Sequence, residues 1–289
     1  MRGVRKEMIQ MTYQDYVGKT ETSTDTVWPP LIRGLAATLD IPEPELAPDG
    51  TLPALGHWML FQEWVPAHGL GEDGHPKRGG FMPPVHDLPR RMWAGGRVRF
   101  LAPLYAGQAV TRVSTILKID EKSGASGRLV FVTVGQRISG PHGVAIEEEQ
   151  DIVYRSAEGA AVKAAEPAPS PPAGAESCVV DPNTVLLFRY SCLIGNAHRI
   201  HYDQDFTMRQ EGYPGIVVHG PLQATWLADM VRRHATPGPR IATFAYRGRR
   251  PAFHQNRLTL LAWAQGDGLR LESRDHEGAV CMSAEATLD

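Results

Sequence analysis

Cysteine is scarce in this chain: three residues among 289, Cys178, Cys192 and Cys281, with no C-x-x-C spacing. An odd number without a motif gives neither a disulfide framework nor a structural zinc site, so the three read as reduced, small apolar side chains. An excess of one charge is also missing, since 30 Lys and Arg face 32 Asp and Glu for a net charge of −2. Without an overall positive field, nucleic acid is not an expected partner. No apolar run approaches the roughly eighteen residues that would span a bilayer, and the basic start MRGVRKEMIQMTYQDYVG leads into no signal-type apolar stretch. A cytoplasmic location without membrane attachment is the expectation. No G-x-S-x-G, P-loop or dinucleotide fingerprint is present, which leaves serine hydrolysis, nucleotide hydrolysis and nicotinamide chemistry without local support.

What is present is a globular composition, 42% hydrophobic and 21% charged, in a chain long enough for two cores of ordinary size. Residues 156–177, SAEGAAVKAAEPAPSPPAGAES, are rich in Ala, Pro, Ser and Gly and lack apolar periodicity, the composition of an extended linker. They separate an N-terminal unit, 1–155, from a C-terminal unit, 178–289. Each unit ends in three β-branched or apolar runs joined by short turns. These are AVTRVSTILKID, GRLVFVTVGQRIS and AIEEEQDIVYR in the first, and RLTLLAWAQ, LRLESRDH and AVCMSAEATL in the second. Such runs predict antiparallel meanders.

The units also match upstream. The first runs from a Gly through an apolar stretch to His86, a helical segment and a strand closing on Pro103; the second runs likewise to His219, a helix and a strand closing on Pro251. Self-similarity at half the chain length predicts two copies of one fold. In the second copy Leu222, Trp226, Leu227, Met230 and Val231 recur at helical spacing behind Gly220-Pro221, predicting an amphipathic helix. In the first, Pro83, Pro84 and Pro89 prevent a long helix. Trp58, Phe61, Trp64 and Trp93 are expected in the core or a pocket wall, and His57, His75 and His86 sit in no catalytic motif.

The densest polar stretch is NAHRIHYD, residues 196–203, followed by YPGIVVHGPLQATWLADM. This block resembles the motif of the MaoC-like (R)-specific enoyl-CoA hydratases, Asp-x-Asn-Pro-x-His-x-Asp before a His-Gly that opens a central helix. With HW, DGHPKRGGFMPP, RRMWAGG, GRLVFVTV and EEEQDIVYR in the first unit, the whole chain is similar to the type 2 hydroxyacyl-thioester dehydratases. Within them it is most similar to the hydratases of mesaconyl-CoA and itaconyl-CoA. The resemblance implies an α+β double hotdog, degenerate in the first unit. It also implies hydration of a short branched dicarboxyl-CoA thioester to citramalyl-CoA, with no cofactor beyond the coenzyme A of the substrate. A homo-oligomer is compatible, because sheet edges stay available.

Such a reaction needs a base for water, a proton for the α-carbon and donors for an enolate oxygen. His201 stands at the position of the family's catalytic histidine, and Gly220 where helix N–H groups face the thioester. Asn196 replaces the family's aspartate. An amide orients water without taking its proton, which leaves His198, or a carboxylate of the substrate, to complete the set. His219 is a candidate substrate contact. Arg247, Arg249 and Arg250 in YRGRRPAF, with Arg90 and Arg91 in LPRRMW, are candidates for coenzyme A phosphates or a substrate carboxylate. His201, Asp203 and His219 also hold the elements of a 2-His-1-carboxylate iron site, but no metal is assigned. Rival readings are a general (R)-3-hydroxyacyl-thioester dehydratase, a non-heme iron oxygenase, and a catalytically inactive acyl-CoA-binding protein.

Overall fold

The computed structural model describes residues 12–124, 127–156, 166–235 and 240–289. In chain order the elements are β1 (Thr20–Thr26), α1 (Pro29–Leu39), α2 (Glu43–Leu46), β2 (Arg90–Phe100), β3 (Ala109–Gly124), β4 (Gly127–Gly140) and β5 (Gly143–Arg155). The second half adds β6 (Glu176–Val180), α3 (Thr184–Leu193), α4 (Gln204–Arg209), α5 (Gly220–Ala235), β7 (Ile241–Gly248), β8 (Leu258–Gln265), β9 (Gly268–Arg274) and β10 (Val280–Leu288).

All ten strands form one sheet, in the order β1-β3-β4-β5-β2-β7-β10-β9-β8-β6. Read outward from its centre, each half repeats the same connectivity: 2-5-4-3-1 on one side, 7-10-9-8-6 on the other. The halves join where β2 pairs antiparallel with β7, Gly95 opposite Arg247 through Arg99 opposite Thr243. The internal repeat predicted from sequence is therefore also a repeat of topology. Of the 156–177 linker, residues 157–165 lie outside the described set. Glu176 and Ser177 belong to β6, paired with Ala262 and Leu261, so the C-terminal strand begins two residues before the expected boundary.

The copies differ in the helix. Between Gly79 and Arg90 no helix forms, and the backbone is held instead by Arg78, whose guanidinium donates to the carbonyls of Val85, Leu88 and Pro89. In the second half α5 packs against β7, β8, β9 and β10. It is buried on every side from Leu222 to Val231, where periodicity predicts an amphipathic helix with a wet face. Its polar side chains are satisfied inside. Gln223 Oε1 accepts from Ser273 Oγ at 2.6 Å, Thr225 Oγ1 donates to the Pro221 carbonyl at 2.8 Å, and Asp229 pairs with Arg232 and Arg233 at 2.8 and 3.0 Å. The first half supplies part of the cover, as Arg232 also donates to the Glu45 carbonyl at 2.9 Å. Burying each large apolar side chain of this helix contributes about 1.5–3 kcal/mol, so α5 and the strand meander under it form one unit.

A second organising group lies in the first half. Glu148, 2% exposed, accepts from Trp58 Nε1 at 2.9 Å, Gln150 Nε2 at 3.0 Å and Tyr246 Oη at 3.2 Å, and lies 3.1 Å from His57 Nε2. Four partners make a buried carboxylate tenable where an unpaired one would cost several kcal/mol. The same partners fix an aromatic cluster. Trp58 meets Trp93 edge-on at 5.4 Å, and Trp93 stacks on Tyr246 at 4.4 Å. Phe61 is buried and Trp58 half-buried as expected, whereas Trp64 is 80% exposed and belongs to no core. The free cysteines are unpaired, and burial pushes the Cys281 thiol up to about 12.

Candidate active site

His201 ends a single 3-10 turn, Arg199–His201, and is 8% exposed. Its Nδ1 lies 2.8 Å from the carbonyl oxygen of Val217. A carbonyl only accepts, so Nδ1 carries the hydrogen and Nε2 of the neutral ring keeps its lone pair. Burial lowers the ring's pKa from 6.5 to about 4, against the hydrogen bond to Val217 and with the help of His75. At neutral pH His201 is therefore an uncharged base with a defined tautomer.

The residue behind it is His219, fully buried, its ring stacked on His201 at 3.7 Å and 19°. His219 Nε2 lies 2.8 Å from Ser191 Oγ, and its carbonyl accepts from the Gln223 N–H at 3.2 Å, which opens α5. Burial, and then His201 and His198, hold it well below the usual histidine range. It forms the back wall of the site and starts the helix. Gly220 follows at the helix N-terminus. Pro221 has no N–H, so the first turn leaves the N–H groups of Gly220 and Leu222 without intrahelical partners, with the positive end of the helix dipole behind them. A Cβ on Gly220 would come within 2.8 Å of Trp93 Cε3. The missing side chain leaves room for the indole of the other half.

Asn196 is committed to its loop. Its Oδ1 accepts from the His198 N–H at 2.9 Å and its own N–H donates to the Ser191 carbonyl at 2.9 Å. With Oδ1 used, its side-chain amide offers N–H donors. His198 meets His201 edge-on at 5.6 Å and His75 at 4.1 Å. Burial, then the neighbouring histidines, lowers its pKa to about 2, so it too is uncharged at neutral pH.

Residues of the first half reach this loop. The Arg199 N–H donates to the Asp73 carbonyl at 2.9 Å and Arg199 Nη1 to the Glu72 carbonyl at 3.0 Å. His75 Nδ1 lies 2.9 Å from Asp73 Oδ2. That contact holds Asp73 below the usual carboxylate range although burial opposes it. No catalytic motif surrounds His75 in the sequence, and it is placed here only by the fold. His57 instead belongs to the Glu148 cluster, and His86 is exposed.

The five candidate arginines separate. Arg247 alternates with buried Phe244 and Tyr246 on β7 and so faces solvent on the side of the sheet away from α5. Exposed Arg249 donates to Ser283 Oγ at 3.0 Å, and Arg250 lies 3.5 Å from Asp275. Arg90 is tied to Glu211, through its carboxylate at 3.3 Å and its carbonyl at 2.7 Å. Arg91 alone among them has a charge that acts on both His75 and His198, and it hydrogen-bonds the Tyr154 hydroxyl.

The iron-type set does not assemble. Asp203 caps α4 through the Phe206 N–H at 3.0 Å and pairs with Arg199 at 2.7 Å, while His201 and His219 point to Val217 and Ser191. A cavity of about 700 Å³ runs along α5 past Thr225, Asp229 and Arg233 to Leu46 and Leu52, and none of the site histidines lines it. Among the described residues no helix is long and apolar enough to cross a membrane.

A profile of the family described as hydroxyacyl-thioester dehydratase type 2 matches residues 55–254. Mesaconyl-C(4)-CoA hydratase of Chloroflexus aurantiacus is 44% identical over 282 residues, 97% of this chain and 99% of that one. In fold, a MaoC-like dehydratase from Phytophthora capsici superimposes with a TM-score of 0.71 at 15% identity, covering 96% of this chain and 98% of that one. A Mycobacterium tuberculosis protein described as having a double hotdog fold does so with a TM-score of 0.57 at 13% identity, covering 96% and 98%. Two copies of one topology, a histidine against the start of a buried helix, and these likenesses agree: the chain belongs to the type 2 hydroxyacyl-thioester dehydratases, hydro-lyases of the double-hotdog fold.

Proposed function

We propose that this hydro-lyase adds water to the double bond of a short branched dicarboxyl-CoA thioester of the mesaconyl-C(4)-CoA type, giving a citramalyl-CoA. The observation that carries the chemistry is the forced tautomer of His201, with Nδ1–H on Val217 and Nε2 free, beside the start of α5. The 44% identity to a mesaconyl-C(4)-CoA hydratase over nearly the whole chain supports the substrate class.

In this reading the thioester oxygen lies at the N–H groups of Gly220 and Leu222. Water attacks the β-carbon as His201 Nε2 takes its proton, and the π electrons move onto the thioester oxygen as an enolate stabilised by the helix start. The imidazolium then gives a proton to the α-carbon and the ring returns to neutral. One water is consumed, no electrons are exchanged, and coenzyme A enters only as part of the substrate. Asn196, which offers N–H donors, orients the water and leaves proton transfer to His201. Arg249, at the exposed end of the β2–β7 seam, is the candidate among the second-half arginines for coenzyme A phosphates.

The test follows the absorbance of the conjugated thioester with mesaconyl-C(4)-CoA and crotonyl-CoA in parallel, and citramalyl-CoA formation by chromatography with itaconyl-CoA, whose double bond is not conjugated to the thioester. Turnover of mesaconyl-C(4)-CoA that is lost in His201→Ala is the expected result. Turnover of crotonyl-CoA alone makes the protein a general hydratase. Binding of the thioesters without turnover makes it an acyl-CoA binder.

A further inference from the structure

Strand β2 carries Trp93 and Arg91 on one face. Trp93 lies against Gly220. Arg91, two residues earlier on the same face, stands roughly 6.6 Å further along the strand. Exposed Met92 between them points the other way. Across the β2–β5 ladder Arg91 is paired in register with buried Tyr154, over whose ring Arg78 also lies, at 5.3 Å. Arg78 is occupied by three backbone carbonyls and Arg90 by Glu211. Among the described residues no acidic side chain forms an ion pair with Arg91, although it is half-buried. Its guanidinium hydrogen-bonds the Tyr154 hydroxyl, which satisfies a donor but leaves the charge without a counter-ion, a costly state for a half-buried group.

The neighbours of Arg91 specify the sign of its partner. Asp73, His75 and His198 bring three metal-type ligand atoms within 4.8 Å of one another, yet Asp73 Oδ2 already meets His75 Nδ1 at 2.9 Å. Burial lowers the pKa of His75 and of His198, and the charge of Arg91 lowers both further. A divalent cation would meet that same guanidinium, whereas an anion would be drawn to it. In a mesaconyl-type thioester the free carboxylate sits on the β-carbon, the atom that water attacks. A carboxylate there must lie close to His201, on the side where His198 and His75 stand.

We propose that Arg91, presented by β2 on the face that carries Trp93, is the subsite for the substrate's free carboxylate and sets the preference for a dicarboxyl thioester over a plain enoyl thioester. This rests on placing the thioester at Gly220 and the attacked carbon at His201. Arginine's planar fork suits bidentate capture of a carboxylate, which lysine cannot reproduce.

The test compares kcat/KM for mesaconyl-C(4)-CoA and crotonyl-CoA in the wild type, Arg91→Gln and Arg91→Lys. Their ratio is expected to fall about 100-fold in Arg91→Gln and less in Arg91→Lys, as for loss of hydrogen bonds to a charged group. Dissociation constants of the two thioesters, measured by calorimetry in the His201→Ala background, give the same ratio without turnover and serve if crotonyl-CoA is not consumed. An equal loss on both thioesters, or an unchanged ratio, overturns the subsite while wild-type turnover of mesaconyl-C(4)-CoA leaves the proposed function standing. A wild type active on crotonyl-CoA and silent on mesaconyl-C(4)-CoA overturns both. If Arg91→Gln does not fold, the ratio in Arg91→Lys decides, and no change in it counts against the subsite.

Discussion

The two halves share a topology strand for strand and divide the work. The second keeps the central helix and carries His201, His219 and Gly220 within 20 residues of sequence. The first has no helix between Gly79 and Arg90, and the space is used by side chains: Trp93 against Gly220, His75 against His198, and Asp73 and Glu72 under Arg199. With the helix lost in one copy, that copy becomes a wall of the site.

If this division holds, the largest loss comes from the second half. His201→Ala should lower kcat about 1,000-fold, within the range for removing a general acid–base group, with the circular dichroism spectrum retained. A loss below tenfold would move the base elsewhere, with His198 the next candidate. Gly220→Ala tests the seam itself. Trp93 is held by Tyr246 and Trp58, so a new methyl 2.8 Å from the indole must displace either the ring or the helix start. A shift of about 1 Å at a reacting centre costs about 100-fold, and kcat/KM measured as above should fall by that order. In the first half Glu148→Gln should act on stability instead. It exchanges an acceptor for a donor among groups that already donate to it, at a cost on the order of 3 kcal/mol, read as a lowered thermal midpoint. A large fall in kcat at unchanged stability would show that the Glu148 cluster belongs to the chemistry.

How far this site was legible depended on whether its parts were local in sequence. The two meanders and the helix behind Gly220-Pro221 follow from periodicity, and the placement of His201 beside that helix from the family resemblance of one eight-residue stretch. The repeat of units predicted the mirrored strand order. His75 was not legible as a site residue. It lies more than 120 residues from His198, in a stretch without regular structure, and only the β2–β7 pairing folds that stretch onto the histidine loop. Nor could sequence sort the five arginines, since Arg90 and Arg91 are neighbours whose side chains have opposite fates, one neutralised by Glu211 and one hydrogen-bonded to Tyr154 without an acidic partner among the described residues. Periodicity on α5 marked the apolar residues correctly and missed that the polar ones are buried too, because part of the cover comes from the other copy.

The smallest expected effect separates the histidine site from the Glu148 cluster by pH. His201 has a folded pKa of about 4 against 6.5 when unfolded, so the folded protein binds fewer protons than the unfolded chain between those values. Stability from this group is complete above pH 6.5 and is lost as pH falls toward 4, by about 3 kcal/mol in all. Glu148 is also depressed, burial being outweighed by His57 and its hydrogen-bond donors. Its contribution is present above the ordinary carboxylate range and disappears only as pH falls through its lower folded value. The histidine site, His75 of the first half included, should therefore lose stability first on acidification, and the Glu148 cluster later. Activity follows a different curve, because kcat/KM reports the free enzyme's base. Between pH 7 and pH 5.5 it should change less than twofold, with the acid limb near pH 4, when measured over times short enough that no protein unfolds. A limb near 6.5 would mean that the base is a solvated histidine and that His201, sealed against Val217 and His219, has another role.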